Sequence, residues 1–305
     1  MAEQRVAVEV DGRTLSLSNL EKVLYPDQGF TKGEVIDYYT RIAPAILPHL
    51  ADRPVTFRRY PNGVDAQSFF EKNNARNAPE WMRTVTLPTP GSTKSRELTE
   101  FVLIDNLPGL VWAANLAALE LHTPMWRVGD DGKPMHPDLL VFDLDPGAPA
   151  DIVTCCEVGL LVRDRLARDK LTAGAKTSGS KGLQLYVSLD ARADWRSVHA
   201  YARRIAEELE KSHPDLVVSS MRKSLRGGKV LIDWSQNNAA KTTVCVYSLR
   251  ARPAPTVSTP VSWDEVEACD SAEDLRFTAD QVLERVRRDG DGFAAALQRK
   301  GRLPD

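Results

Sequence analysis

Three acidic residues stand out because each interrupts an apolar run. Asp143 and Asp145 lie in Leu140-Val141-Phe142-Asp143-Leu144-Asp145-Pro146-Gly147, and Asp233 lies in Val230-Leu231-Ile232-Asp233-Trp234. Side chains alternate faces along a strand, so Asp143 and Asp145 are expected on one face, with Phe142 and Leu144 directed into a core. At ~3.3 Å per residue the two carboxylates would sit about 7 Å apart. Carboxylates this close repel, and burying them unpaired is costly. A hard divalent cation, Mg²⁺ or Mn²⁺, relieves that conflict with oxygen ligands. If the two strands are neighbours, three carboxylates can hold two ions about 4 Å apart, which activates an attacking hydroxyl and steadies a leaving pyrophosphate. D-x-D-P-G alone also fits a strand that simply ends in a turn. Asp233, in a second apolar run, tips the reading towards a metal site.

Lys176-Thr177-Ser178-Gly179-Ser180-Lys181-Gly182 lies just before a strand-like run. Small residues let a backbone approach a phosphate, and turn N–H groups make an anion nest. Ser178 and Ser180 add hydroxyls, and Lys181 adds charge. The Walker A spacing is absent and no helix follows, so a solvated turn remains the alternative. A second basic segment, Arg222-Lys223-Ser224-Leu225-Arg226-Gly227-Gly228-Lys229, leads into the Asp233 strand, and Lys241, Arg250 and Arg252 follow it. Cations on both sides of an acidic strand suit a triphosphate. His122, in Leu121-His122-Thr123-Pro124, fits either a phosphate contact or a structural hydrogen bond. His49, His136, His199 and His213 have no metal-ligand spacing with one another or with a cysteine.

The elements that must position these groups read as α/β. The strands are expected at about residues 139–145, 183–189 and 229–234, with helices at about 151–169 and 195–211, an alternation that suggests a sheet with crossover helices. Leu110 to Leu121 reads as a buried helix. Thr31 with Glu34, and Thr278 with Gln281, are capping boxes. A Pro-rich connector begins near Arg252, and the helical tail behind it reads as packing material. Apolar residues make up 42% of the 305 and charged ones 27%, ordinary for a globular chain. Forty Lys and Arg face 42 Asp and Glu, so any basic surface must be local. No apolar run reaches the ~18 residues of a membrane span, and the start lacks a signal-peptide core, so a cytoplasmic protein without membrane contact is expected. The four cysteines, Cys155, Cys156, Cys245 and Cys269, read as reduced thiols.

Three segments together, Val141 to Gly147, Ser178-Gly179-Ser180-Lys181-Gly182-Leu183, and Val230 to Asn237, resemble in order and spacing the polymerase domain of bacterial ligase D. That family belongs to the archaeo-eukaryotic primase superfamily and serves non-homologous end joining. The resemblance extends to Lys22-Val23-Leu24-Tyr25-Pro26, Arg59-Tyr60-Pro61-Asn62-Gly63, Phe69-Phe70-Glu71-Lys72 and Tyr247-Ser248-Leu249-Arg250, and so covers about residues 15–300. It implies one domain over residues 1–305: an N-terminal lobe at about 15–135 with DNA and 5′-phosphate contacts, a mixed-sheet catalytic core with flanking helices at about 136–252, and a connector with a helical tail at 253–305. It implies a DNA-directed nucleotidyltransferase that favours ribonucleotides and Mn²⁺ and carries two ions per site.

By motif match, Asp143, Asp145 and Asp233 would be the catalytic metal ligands. His122, Ser178, Ser180, Lys181, Gln184, Gln236 and Arg250 would hold the incoming NTP or dNTP. Lys22 and Lys32 would hold the downstream 5′-phosphate, and Arg58 would join the DNA contacts. Phe69 and Phe70 would stack on template bases, with core packing as the other reading. Arg226 would sit in a mobile loop near the primer terminus. A Ku-like end binder and a separate ligase are the implied partners. The chain departs from the family at Gln184, where His is usual; a neutral amide bonds phosphate about half as strongly as a charged donor. No K-x-D-G adenylation motif occurs, so a stand-alone polymerase is expected, with a domain cut from a longer protein as the other reading. The alternatives are a two-metal phosphodiesterase or nuclease, which would not need a triphosphate clamp, and a non-catalytic end-bridging module keeping only the phosphate pocket.

Overall fold

The strand carrying Asp143 and Asp145 lies inside a six-stranded sheet, with a strand of the expected kind on either side of it. A computed structural model describes residues 5–89 and 97–304. In chain order the elements are β1 (Arg5–Val10), β2 (Arg13–Ser18), β3 (Val23–Tyr25), β4 (Phe30–Thr31), α1 (Lys32–Leu50), β5 (Thr56–Arg59), β6 (Phe69–Glu71), β7 (Thr84–Pro88), β8 (Leu98–Val102), α2 (Leu107–Asn115) and β9 (Ala118–Thr123). There follow β10 (Leu139–Pro146), α3 (Ile152–Arg168), β11 (Ala173–Thr177), β12 (Leu183–Ser188), α4 (Trp195–Ser212), β13 (Val217–Val218), β14 (Val230–Asp233), β15 (Thr243–Val244), β16 (Pro260–Val261), α5 (Trp263–Glu267), α6 (Ala279–Asp289) and α7 (Gly292–Ala296). The large sheet runs β13-β14-β10-β12-β11-β16, and a four-stranded sheet runs β15-β9-β5-β6.

Alternation along β10 separates two faces. Leu140, Phe142 and Leu144 are fully buried against Val158 and Val162 of α3 and Val198 and Ile205 of α4. Each such side chain stabilises the fold by about 1.5–3 kcal/mol. Val141 and, from β12, Tyr186 belong to the other core, built by α1, α2, β5 and β9. The large sheet is therefore packed on both faces, and Asp143 and Asp145 lie on the face turned towards the smaller sheet.

Helix boundaries follow their caps. Thr31 accepts from Glu34 N at 3.2 Å while its own N–H donates to Glu34 Oε2 at 2.7 Å. Asp151 caps α3 and Asp194 caps α4. Among the described residues no helix is long and apolar enough to cross a membrane.

Two expectations need correction. The run 110–121 is not one helix. α2 ends at Asn115, Ala117 turns the chain with φ of 56°, and β9 begins at Ala118. Both pieces are buried, so the stretch is apolar on every side and periodicity cannot separate helix from strand. Lys176 and Thr177 belong to β11 rather than to a loop. The expected crossover helices are present: α3 joins β10 to β11, which run the same way with β12 between them, and α4 joins β12 to β13. β10, β12, β11, β14 and β16 all pair antiparallel, and only β13 with β14 is parallel. The helices return the chain over one face without reversing strand polarity.

Asn237 fixes the register between β10 and the turn after β14. Its side chain accepts from Val141 N at 2.9 Å and donates to Val141 O at 2.7 Å and Trp234 O at 2.9 Å. Asn237→Ala leaves these buried groups without partners and is expected to cost about 2–3 kcal/mol in urea unfolding. A loss below ~0.5 kcal/mol would show that the Val141 backbone finds other partners.

Candidate active site

Strand register sets four polar side chains in one row across the large sheet. Asp233 of β14 pairs with Asp143 of β10, Asp143 with Gln184 of β12, and Gln184 with Lys176 of β11. Directly opposed residues have Cβ atoms about 5 Å apart. Asp145 lies two residues along from Asp143 on the same face. The strands expected to be neighbours are neighbours, and they oppose the two carboxylates.

The electrostatic cost is visible in the carboxyl groups. Burial, then the charge of Asp145, pushes Asp143 up to about 7. Asp145 is raised by burial and by Asp233, and Arg226 and Arg250 oppose the shift. The Asp145 side chain is itself exposed, so for that residue the neighbouring charge weighs more than lost water. Both oxygens of Asp233 accept hydrogen bonds, Oδ1 from Ser235 N (3.0 Å) and Oγ (2.6 Å), Oδ2 from Gln236 Nε2 (2.9 Å). Among the described residues no three such side chains already converge on one point as metal ligands. Ligation through Asp233 would require its carboxylate to release part of this set.

Two glycines let the motif backbones touch. A Cβ on Gly147 would fall 1.9 Å from Arg226 O, and one on Gly182 would fall 2.1 Å from Leu144 O. The D-x-D-P-G turn therefore abuts the Arg226 segment on one side and the Ser178–Gly182 loop on the other. Arg226 itself donates Nη2 to Met221 O at 2.8 Å.

The Ser178–Gly182 loop is the turn of the β11–β12 hairpin. Ser178 Oγ accepts from Ser180 N (3.3 Å) and Gly182 N (3.1 Å), so two of the loop's N–H groups face inwards. Ser180 and Lys181 are exposed. The loop is braced from below: Arg250 Nη1 donates to Ser178 O at 2.8 Å, Thr256 Oγ1 to Gly179 O at 2.7 Å, and Arg252 Nη2 to Ser180 Oγ. A cavity of about 290 Å³ lies against Ser180, Lys181, Pro146 and Phe277.

Opposite the carboxylate row, the small sheet carries a second one. Glu120 of β9 pairs with Arg58 of β5, and Arg58 with Phe70 of β6. Glu120 is 1% exposed and gathers His122 Nε2 at 2.9 Å, Arg250 Nε at 3.3 Å, Arg58 Nη1 at 3.6 Å and the Ala251 N–H at 3.2 Å. Burial raises Glu120, but the His122 hydrogen bond and the Arg250 charge outweigh it and hold the carboxyl at about 2. Burial lowers His122, with Glu120 opposing. A neutral His122 still donates its N–H, and the two guanidiniums carry the compensating charge. Phe70 packs edge-on to His122 at 5.5 Å and under Arg58 at 5.3 Å. Phe69 faces the other way, under Arg59 at 5.3 Å. Both rings are substantially exposed, but only Phe70 shares the face of His122 and Arg58.

Lys22 and Lys32 come together in a separate cleft of about 570 Å³, with Arg59, Asn62, Asn115 and Trp81. Lys22 Nζ donates to Asn62 Oδ1 at 3.0 Å, and Lys32 Nζ to Ser18 O at 2.5 Å and Ser18 Oγ at 3.1 Å. The two glutamines expected at a nucleotide are both engaged with carboxylates: Gln236 with Asp233, and Gln184 Nε2 with Asp143 Oδ1 at 2.9 Å. Two residues at the site escaped the sequence reading. Glu120 was hidden inside the supposed helix, although Glu120-Leu121-His122 places both polar residues on one face of a strand. Lys176 was taken for loop.

A mixed, mainly antiparallel sheet with opposed aspartates, a cationic hairpin loop at its end and a second lobe facing it define a primase-polymerase type of domain. The family model described as LigD, primase-polymerase domain, matches residues 31–293, and the chain belongs to that family. It is 46% identical over 278 residues to the multifunctional non-homologous end joining protein LigD of Mycolicibacterium smegmatis, covering 91% of this chain and 35% of that protein. It is 30% identical over 280 residues to the bifunctional non-homologous end joining protein LigD of Bacillus subtilis, covering 92% of this chain and 43% of the relative. The chain thus spans well under half the length of these relatives. The polymerase domain from Mycobacterium tuberculosis ligase D, solved in complex with DNA, superposes with a TM-score of 0.86 at 43% identity, over 92% of this chain and 97% of that one.

Glu120 gives the site an acid limit. Its folded value, about 2, lies below the ordinary 4.5. Its contribution is therefore complete above about pH 4.5 and is lost as pH falls towards 2. The stability difference between wild type and Glu120→Gln is expected to shrink by about 2 kcal/mol between pH 6 and pH 3 in urea melts. A difference that does not change with pH would mean that Glu120 is not held ionised.

Proposed function

We propose that this chain adds nucleotides to the 3′ end of a DNA primer at gaps or broken ends, with ribonucleotides favoured. The observation that carries this is the row itself: Asp143 and Asp233 oppose one another, Asp145 lies beside them, and Arg226, Arg250 and the Lys181 loop surround them. The residues fit divalent cations. All three are hard oxygen donors, and burial and mutual repulsion raise Asp143 and Asp145, a charge deficit that cations offset. Asp143, Asp145 and Asp233 would hold Mn²⁺ or Mg²⁺, which when bound supply Lewis-acid activation of a primer hydroxyl and neutralise a leaving pyrophosphate.

The chain's other residues bind and orient. Lys181 and the Ser180 hydroxyl face outwards from the hairpin loop for the triphosphate, and Arg250 presents the loop while remaining tied to Glu120. His122 stands on the same Glu120 anchor. Phe70, exposed beside His122, offers a stacking face for a base. Lys22 and Lys32 line a cleft of a size for a 5′-phosphate. The relatives' names support service in end joining, and a Ku-like end binder and a separate ligase as partners belong to the same proposal.

The test is extension of a labelled primer on a gapped duplex, with NTP or dNTP and Mn²⁺ or Mg²⁺. Asp143→Asn and Asp233→Asn are expected to abolish extension while melting no lower than wild type, because each removes a repelling charge at nearly constant volume. Extension by either variant at the wild-type rate would remove the metal-site reading. Lys22→Ala is expected to weaken binding to gaps bearing a 5′-phosphate about tenfold and to leave 5′-hydroxyl gaps nearly unchanged. Equal losses on both would reduce Lys22 to a general backbone contact.

A further inference from the structure

Lys176 is 1% exposed and has no carboxylate ion pair among the described residues. A buried ammonium group without a counter-charge is expensive, and an apolar side chain would fill the same space at no such cost. Its Nζ donates to Gln184 Oε1 and to Ser258 Oγ at 2.7 Å, above the Tyr186 ring at 5.3 Å. Burial lowers it to about 7.

The bond to Gln184 matters because the ammonium form of lysine only donates. It fixes the amide oxygen of Gln184 towards Lys176, and so fixes the amide nitrogen towards Asp143 Oδ1 at 2.9 Å. The flipped amide would set an oxygen against a carboxylate and an NH₂ against an ammonium. With the amide locked, one oxygen of Asp143 is held in a hydrogen bond and the carboxylate has one orientation. The opposed carboxylate is built alike: Lys241 Nζ donates to Ser235 Oγ, which donates to Asp233 Oδ1 at 2.6 Å. Each aspartate thus receives a neutral donor with a lysine behind it.

We propose that Lys176 is a positioning residue for the metal site, acting through Gln184 to orient the Asp143 carboxylate for a divalent cation. This rests on the reading of Asp143 as a metal ligand. It also gives the departure at Gln184 a structural role: the amide stands between a cation on the next strand and the carboxylate.

The sign of the effect separates this from simple charge. Acting through space, a cation repels another cation, so removing Lys176 would tighten metal binding. Removing an orienting partner weakens it, by about 10- to 100-fold for hydrogen-bond partners of metal ligands. The experiment is calorimetric titration of Mn²⁺ alone into the full chain without nucleotide, for wild type, Lys176→Met, Gln184→Met and the double variant, with melting temperatures alongside. Each single change is expected to weaken Mn²⁺ binding at least tenfold, and the double variant to be no weaker than the weaker single. Unchanged or tighter binding by Lys176→Met, or losses that multiply in the double variant, would overturn the relay. If Lys176→Met fails to fold, Gln184→Met decides alone, and unchanged affinity there overturns it. Primer extension by the wild type, run in parallel, tests the proposed function separately: extension with Mn²⁺ affinity unmoved in both single variants sinks only the relay.

Discussion

Two carboxylates facing one another across adjacent strands, with a third two residues away, impose a repulsion that the surrounding structure must manage. The antiparallel pairing of β10 and β14 forces Asp143 and Asp233 together, and the alternation of β10 adds Asp145 to the same face. Nothing in the local sequence relaxes this arrangement. Asn237 locks the turn after Asp233 onto Val141, and Phe142 and Leu144 are fully buried on the far side. The acids are held by a rigid core, and relief comes from donors: Gln184 to Asp143, Ser235 and Gln236 to Asp233. A hydrogen bond offsets only part of such a charge, and the remainder is what a cation would neutralise.

The second row has the opposite sign problem and solves it with one acid. Glu120 lies between Arg58, Arg250 and His122, where the two guanidiniums would otherwise crowd together without a counter-charge. One carboxylate therefore ties its own strand to two distant segments, β5 through Arg58 and the Arg250–Ala251 stretch. Arg250 then reaches the Ser178 carbonyl, which ties the hairpin loop of one sheet to the anchor of the other. The hydrophobic core supports the same coupling, since Val141 and Tyr186 from the large sheet pack in one cluster with α1, α2, β5 and β9. The gap between the two rows is thus fixed by packing as well as by charge.

The aspartates were legible because a charge inside an apolar strand is conspicuous, and the strand alternation that placed them depends on local geometry alone. Helices α3 and α4 were legible for a similar reason, each having an acidic N-cap and an apolar stripe. Glu120 was not, because the run from α2 into β9 is buried on all sides and offers no period to mark where the helix ends. Lys176 was missed because its neighbours, Ser, Gly and Lys, are turn-formers, while the residues that make it a strand, Leu183 to Val187 opposite, are distant in sequence. Strand order was illegible too: alternating helices and strands do not say that β12 lies between β10 and β11, and only the pairing partners decide. The role of Gln184 depends on which side chain lies across the sheet, information that no single segment contains, whereas Gln236 bonds an aspartate only three residues away.

The most direct test of the account is anomalous diffraction from crystals of this chain soaked in Mn²⁺. The account expects manganese peaks bounded by Asp143, Asp145 and Asp233, with Asp233 turned away from Ser235 or Gln236 to reach them. Manganese bound elsewhere, with these three carboxylates still held only by their hydrogen-bond donors, would contradict it.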